Sequence, residues 1–410
     1  MKSENFVYFK KMMLYGLHSL SKYVPRKKRK WIFGSHFKFS DNSKYLFYKV
    51  CENNPEIRAI WISNNQKDVG FLRSRGYEVY YRKSMAGVYH TLTAGVVVSN
   101  AAASDVGMGL TGGAFFLNLW HGVGVKKIRW LNPDYYIKKF HLKDESEMKT
   151  SFRFKLKYFY VLFRKIDLCL VPSKMQADEF FKPMMRITDE NILLGGYPRN
   201  ELLLKDKDEV HDFIVQHEPA STLSFLDELS KYQKVFIYMP TWRNNKADFV
   251  TAANIDWNQM NSILVCQNSL LILKLHPNTV INLDFITQYS NIILYPEECD
   301  IYTILPYTDC LITDYSSIYS DYCLLNKEII LFVYDYEEYV TNAIDLLDYD
   351  KYYLGKKAHS FSELINIIAN KVDCHLTKEE YSFIMNAYWD SVNNGVDIAK
   401  EVEKRIGIIS

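Results

Sequence analysis

Short runs of β-branched and aromatic residues alternate along this chain with stretches whose apolar residues recur at helical spacing. The pattern predicts strands at Trp31–Phe33, Ala59–Ser63, Glu78–Tyr81, Val96–Ser99, Phe115–Leu119 and Leu168–Pro172. A second set follows at Val235–Tyr238, Leu270–Leu275, Asn291–Leu294, Cys310–Thr313 and Ile329–Val333, with helical segments such as Ile255–Gln267 and Tyr315–Leu325 between them. A charged, weakly patterned segment, Lys205–Leu229, separates the two sets. Such alternation is the signature of βαβ units and parallel sheets covered by helices. The expected fold is therefore α/β, with two doubly wound Rossmann-type domains facing a cleft, one over residues 1–200 and one over residues 201–410. The last helical stretches, Lys378–Trp389 and Gly395–Ile406, are free to pack on either domain. In sheets of this kind ligands sit beyond the carboxyl ends of the strands.

Three stretches depart from the pattern. Phe6–Tyr23 is apolar and aromatic with interspersed lysines, and five consecutive basic residues follow it: Arg26, Lys27, Lys28, Arg29 and Lys30. This combination has the character of an interfacial helix with a polybasic patch. Phe152–Lys165 (FRFKLKYFYVLFRK) repeats the theme, with Arg153, Lys155 and Lys157 on alternate positions. Core helices with solvated basic edges would look the same, but two such stretches in one half favour an anionic membrane surface. Ser84–Val125 holds eight of the seventeen glycines, one acidic residue (Asp105) and no Lys or Arg. Its Gly107–Gly113 loop reads either as a tight turn or as a cradle of backbone N–H groups for an anion.

Charge sharpens this picture. The 410 residues carry a net charge of only +2, yet the first 200 hold 34 Lys+Arg against 16 Asp+Glu, and the remaining 210 hold 16 against 32. The basic half is expected to meet something anionic. Nucleic acid is not expected, because the acidic half would repel it. The seven cysteines are scattered without zinc spacing and read as reduced core residues. No signal peptide and no run long enough to span a bilayer is visible, which leaves a cytoplasmic location, peripheral at the inner membrane face.

Five motifs carry candidate chemistry. Leu119-Trp120-His121-Gly122 delivers a histidine to a strand end, where an imidazole with its ordinary pKa near ~6.5 suits general-base work, although a satisfied structural histidine fits as well. Leu273-Lys274-Leu275-His276-Pro277 does the same in the second half. Tyr238-Met239-Pro240-Thr241-Trp242-Arg243 ends a strand in a hydroxyl and a guanidinium, both good phosphate ligands. Gly195-Gly196-Tyr197-Pro198-Arg199-Asn200 presents an arginine from a rigid turn near the domain junction. Thr313-Asp314-Tyr315-Ser316-Ser317 opens a helix with hydroxyls, a phosphate site or simple N-capping by Asp314 or Ser316.

In this order and spacing the five motifs resemble those of the CDP-glycerol glycerophosphotransferase family, the teichoic-acid and capsule polymerases and primases, from about Phe115 to Tyr339. The resemblance implies a GT-B-like fold, an N-terminal acceptor- and membrane-facing domain and a C-terminal nucleotide-donor domain. It implies His121 and His276 as the catalytic pair, and Arg199, Thr241, Arg243, Asp314, Ser316 and Ser317 as donor-binding residues. Arg26–Lys30 with Arg153, Lys155 and Lys157 are the expected membrane contacts. One departure stands out: Val123-Gly124 replaces the family's Thr-Pro after His-Gly, removing a hydroxyl.

The reaction so implied passes polyol phosphate from CDP-glycerol or CDP-ribitol to a hydroxyl of a lipid-linked or polymeric acceptor, releasing CMP. No cofactor is expected and no metal is demanded, Asp348–Asp350 being a weak, loop-like acid pair. A GT-B glycosyltransferase using a nucleotide sugar, and a non-catalytic membrane-associated nucleotide-binding protein, are the alternatives.

Overall fold

The computed structural model describes residues 2–36, 38–241, 252–275, 284–342 and 348–409. The chain forms two compact units. Unit 1 comprises Met1–His121, Lys127–Arg199 and Trp389–Ser410, and unit 2 comprises Gly122–Lys126 and Asn200–Tyr388. The division is therefore not a single cut near residue 200.

Unit 1 is built on seven strands: β1 (Lys27–Gly34), β2 (Arg58–Ser63), β3 (Val79–Tyr81), β4 (Ala94–Ser99), β5 (Phe115–Asn118), β6 (Leu168–Val171) and β7 (Ile192–Leu194). They pair in parallel in the order β3-β2-β1-β4-β5-β6-β7. Every residue of β4 and β6 is buried, which is why these strands read as unbroken apolar runs. Between β5 and β6 a helical segment carries its own small core of Trp130, Tyr136, Met148, Phe154 and Leu162.

Unit 2 holds β8 (Lys234–Met239), β9 (Ser269–Leu273), β10 (Ile292–Leu294), β11 (Cys310–Thr313), β12 (Glu328–Phe332) and β13 (Lys356–Ala358). These are again parallel, in the order β10-β9-β8-β11-β12-β13. Strand order reverses at β1/β4 in unit 1 and at β8/β11 in unit 2, and such reversals are where ligands of doubly wound sheets bind. The architecture is thus the expected α/β, GT-B-like type, two Rossmann-type units in one chain.

Four expectations need correction or narrowing. Lys205–Leu229 is not a segment separating the two units: it forms the Lys207–His217 and Ala220–Leu229 helices within unit 2. Val210, Ile214 and His217 bury one face of the first, and the second buries Thr222, Leu226 and Leu229. The polybasic run is not a free patch, since Lys27–Lys30 start β1; Lys27 pairs with Ala94 and Lys30 with Arg58. Gly95 permits this, because a Cβ there would press on the Lys27 carbonyl at 2.6 Å. The Gly107–Gly113 loop, open to a turn or an anion cradle, has two of its N–H groups taken up within the protein: Gly109 N–H donates to the Tyr160 hydroxyl and Gly112 N–H to Ser21 Oγ. Its glycines let the loop lie against the Lys2–Ser21 helix, and a Cβ at Gly112 would collide with the His18 carbonyl. Finally, the cysteines are all free, but Cys266 is exposed instead of in the core.

Candidate functional site

In unit 1 the strand end of β5 turns sharply through Leu119, Trp120 and His121. Trp120 adopts a left-handed backbone, φ +54°, which costs a bulky residue energy and must be held from outside. Three groups hold it. Trp120 N–H donates to Asn118 Oδ1 at 2.9 Å, Asn42 Nδ2 donates to the Trp120 carbonyl at 3.0 Å, and the Arg129 guanidinium lies 4.6 Å over the indole. Gly122 follows at φ +150°, a conformation that favours glycine.

The His121 ring stacks on Trp120, centroids 4.3 Å apart. Its Nδ1 lies 3.2 Å from the carbonyl oxygen of Asn100, which follows β4. A carbonyl only accepts, so Nδ1 carries the hydrogen and Nε2 the lone pair. Asn100 is itself held, its Oδ1 accepting from Ser43 N–H (2.8 Å) and Ser43 Oγ (2.7 Å). The main chain of His121 is clamped by Arg199, whose Nη1 donates to the His121 carbonyl at 3.1 Å and to Asp41 Oδ1 at 2.5 Å. Asp41, at φ +66°, also accepts from Asn42 N–H at 2.7 Å. The histidine keeps an open face to solvent, yet the protein around it disfavours the imidazolium and lowers its pKa. Asp41 and the Asn100 carbonyl partly offset this, while Arg199 and Arg129 add to it.

In unit 2 the strand ends at the β8/β11 reversal carry Thr241 and Asp314. Asp314 is wholly buried and accepts from Thr241 N–H (2.8 Å) and Tyr315 N–H (2.6 Å), so it joins the two strand ends. Thr313 Oγ1 ties the same strands by donating to the Met239 carbonyl at 2.8 Å. The helix after the motif is short, Ile318–Cys323, and neither Asp314 nor Ser316 caps it; Ser317 occupies the cap position without a side-chain capping bond. The half-buried Ser316 and Ser317 hydroxyls therefore take no part in starting the helix.

Around them stands a tyrosine cluster. Tyr315 stacks face to face on Tyr339 (3.8 Å, 6°) and donates to Asp335 at 3.1 Å, while Tyr349 donates to the Asp314 carbonyl and Tyr353 to that of Tyr315. Lys126, from the segment just after His121, belongs to this unit and donates to the Tyr339 hydroxyl at 3.0 Å.

The structure thus brings Thr241, Asp314, Ser316 and Ser317 together in unit 2, and gathers His121 and Arg199 in unit 1. Arg199 stands beside the histidine as part of its clamp. Arg243 and His276 lie outside the described residues. Of the basic run, Arg26 turns inward to the carbonyls of Ser21, Thr91, Ala94 and Leu110, and burial lowers its pKa to about 10. Lys30 is buried and donates to Thr93 Oγ1, and Lys28 donates to the Ile406 carbonyl. Lys27, Lys28 and Arg29 remain exposed, the last 3.7 Å from Glu403. Arg153, Lys155 and Lys157 are all exposed on the Phe152–Tyr158 helix.

Sequence reasoning missed Asp41, Asn42 and Lys126. Lys126 was signalled by its place five residues beyond His121, but nothing local marks Asp41 and Asn42. The Asp348–Asp350 pair is structural: Asp348 accepts from Lys351 N–H at a helix start, and Asp350 pairs with Lys357 and Tyr336. Among the described residues, the group with metal-ligand geometry is Glu328, Asp373 and His375. It lies at the start of β12, where Glu328 is ion-paired to Lys234, away from these strand ends.

Two parallel-sheet units with chemistry at their strand ends define a GT-B-like α/β protein. The sequence model of the CDP-glycerol:poly(glycerophosphate) glycerophosphotransferases matches residues 17–397, and the chain belongs to that family. It is 24% identical over 376 residues to a teichoic acid poly(glycerol phosphate) polymerase of Staphylococcus epidermidis, covering 87% of this chain and 47% of the relative. A teichoic acid glycerol-phosphate primase of Bacillus subtilis is 25% identical over 252 residues, 62% of this chain and 58% of the relative. The chain spans less than half the length of the Staphylococcus epidermidis polymerase and of a teichoic acid poly(glycerol phosphate) polymerase of Bacillus subtilis. The solved structure of the wall teichoic acid polymerase TagF superposes with a TM-score of 0.69 at 20% identity, covering 99% of this chain and 98% of that one, a likeness of fold.

Proposed function

We propose that this chain is a CDP-polyol phosphotransferase that passes glycerol phosphate or ribitol phosphate to a hydroxyl of a lipid-linked or polymeric acceptor, in the synthesis of teichoic acid or a capsular polymer. One observation carries the reading. In a chain matched to this family over residues 17–397, the strand-end His121 has Nδ1 engaged by a carbonyl, which leaves Nε2 with the lone pair a general base needs. Relatives include polymerases of both glycerol phosphate and ribitol phosphate.

In the proposed reaction His121 Nε2 takes the proton of the acceptor hydroxyl as its oxygen attacks the β-phosphorus of the donor. The new P–O bond forms as the bond to the bridging oxygen breaks, and CMP leaves with both electrons of that bond. Catalysis of this kind rests on positioning and charge stabilisation. Unit 2 is the proposed donor unit, with Thr241, Ser316, Ser317 and Lys126 contributing donors, Asp314 holding their backbone, and Arg243 and His276 completing the set. Unit 1 is the proposed acceptor unit, Arg199 there positioning the base.

Unit 1 is also the proposed membrane face. The Lys2–Ser21 helix exposes Phe6, Phe9, Met12, Met13 and Leu20, and Phe152 is exposed nearby in sequence to Arg153, Lys155 and Lys157. Aromatic residues beside lysines suit an anionic interface. No helix among the described residues is long and apolar enough to cross a membrane.

The test is incubation with CDP-glycerol, CDP-ribitol or UDP-sugars plus lipid-linked and oligosaccharide acceptors, followed by mass analysis. CMP release with a polyol phosphate added to the acceptor is expected. UDP release with a sugar added would move the chain to nucleotide-sugar chemistry, and nucleotide binding without turnover would make it a binding protein.

A further inference from the structure

A cavity of about 190 Å³ lies in unit 1 between the Lys2–Ser21 helix, the Phe152–Tyr158 helix with the turn that follows it, and the loop at Ser104–Met108. Leu14, Met108, Leu156 and Val161 with the aromatic Tyr15, Phe159 and Tyr160 make most of its wall, and no carboxylate lines it. Three of these residues are also well exposed, Tyr15 at 40%, Met108 at 44% and Val161 at 39%, so the cavity opens among apolar side chains.

Two lysines also line it, Lys11 and Lys157. Lys11 Nζ donates to the Lys157 carbonyl at 2.7 Å, and the Lys157 ammonium rests 4.3 Å over the Phe140 ring. Partial burial lowers the Lys11 pKa, and the neighbouring Lys157 charge lowers it further. An anion set between them would relieve that repulsion, and the apolar wall would take a hydrocarbon chain attached to it. The walls are fixed, because the Gly109 and Gly112 N–H bonds to Tyr160 and Ser21 hold the helix and the turn in place.

We propose that this cavity is a binding site for one anionic lipid from the bilayer, its phosphate between Lys11 and Lys157 and the start of one chain among Leu14, Met108, Leu156 and Val161. The proposal rests on the membrane-facing reading of unit 1 and adds to it a single, saturable site.

The test uses the full chain without a bilayer, titrated by calorimetry with dodecyl phosphate below its critical micelle concentration, with inorganic phosphate and dodecyl maltoside as controls. One-to-one binding of dodecyl phosphate is expected, with no heat from either control. The Lys11→Gln/Lys157→Gln variant and the cavity-filling Leu14→Trp variant should each bind at least about tenfold more weakly at an unchanged melting temperature. Should Leu14→Trp lower the melting temperature, Met108→Trp at the mouth gives the same reading without crossing the helix packing. No binding by the wild type, or equal binding by all variants, overturns the site. Phe6→Ser/Phe9→Ser separates the two ideas: it should reduce sedimentation with anionic liposomes and leave dodecyl phosphate binding intact. If liposome binding fails in the wild type while dodecyl phosphate still binds, the membrane-facing reading falls and the cavity stands as a site for a soluble amphiphile.

Discussion

Arg199 donates to the main-chain carbonyl of His121 at 3.1 Å, so the guanidinium grips the backbone of the histidine and not its ring. The same nitrogen pairs with Asp41, and together they hold a turn in which Trp120 and Asp41 both have left-handed backbones. Arg199→Lys keeps the charge but loses the planar fork. It should cut kcat by about ten- to a hundredfold through misplacement of the base, with donor KM little changed. Equal loss in KM alone would show that Arg199 binds donor instead.

Asp41→Asn removes the negative charge that raises the His121 pKa. In the proposed reaction a neutral imidazole is the active form, so activity is expected to rise with pH through that pKa, which lies below the ordinary 6.5. The acidic limb of the kcat/KM profile should therefore move to still lower pH in Asp41→Asn. An unmoved limb would mean that another group titrates. His121→Gln should abolish the limb and lower kcat by about 10²–10⁴-fold, with CDP-polyol affinity retained in calorimetry.

Asp314 joins Thr241 to Tyr315 through two backbone N–H groups in a fully buried position. Asp314→Ala leaves both donors without that acceptor, at a cost of about 1–3 kcal/mol each when no water replaces it. A lower melting temperature and weaker CDP binding are expected, and both should fail together. Retained stability with lost binding would place the carboxylate in direct contact with ligand.

Gly112→Ala would drive a methyl group into the His18 carbonyl. The Lys2–Ser21 helix should then be dislodged, seen as rapid cleavage within residues 2–21 by limited proteolysis, while unit 2 keeps its nucleotide affinity. A protease-resistant variant would show that the loop yields instead.

His18 is buried against Phe159 and Tyr160, and burial, together with Arg164, Lys22 and Arg26, lowers its pKa to about 4. Unfolding restores the ordinary value of about 6.5, so between these limits the unfolded chain binds more protons and stability falls as pH falls. The melting temperature should decline from about pH 6.5 toward pH 4, and less steeply in His18→Gln. A parallel decline in both proteins would assign the effect to other groups.

The strand ends were readable because an apolar run followed by Gly, Pro or Asp marks both a buried strand and its exit, which located Leu119–His121, Thr241 and Asp314 directly. Polarity misled at Lys27–Lys30, where the charges belong to a strand whose partners, Ala94 and Arg58, lie far along the chain. The loop at Gly107–Gly113 stayed open between a turn and a cradle for a related reason: two of its N–H groups are matched by Ser21 and Tyr160, which no local pattern connects to it. Asp41 was invisible because its role depends on Arg199, 158 residues later. Strands β7 and β13 were missed: no residue of β7 is fully buried, and β13 reads Lys356-Lys357-Ala358, without an apolar run to mark it.

The return of residues 389–410 to unit 1 has a bearing on how the molecule comes into being. Lys28 donates to the Ile406 carbonyl, Ser391 N–H to that of Pro172, and Arg405 to that of Glu190. Synthesis proceeds from the amino end, and the stretch from Asn200 to Tyr388 is almost the whole of unit 2. Unit 2 is thus drawn from one almost continuous stretch, whereas unit 1, begun earlier in synthesis, lacks residues 389–410 until all of unit 2 has been made.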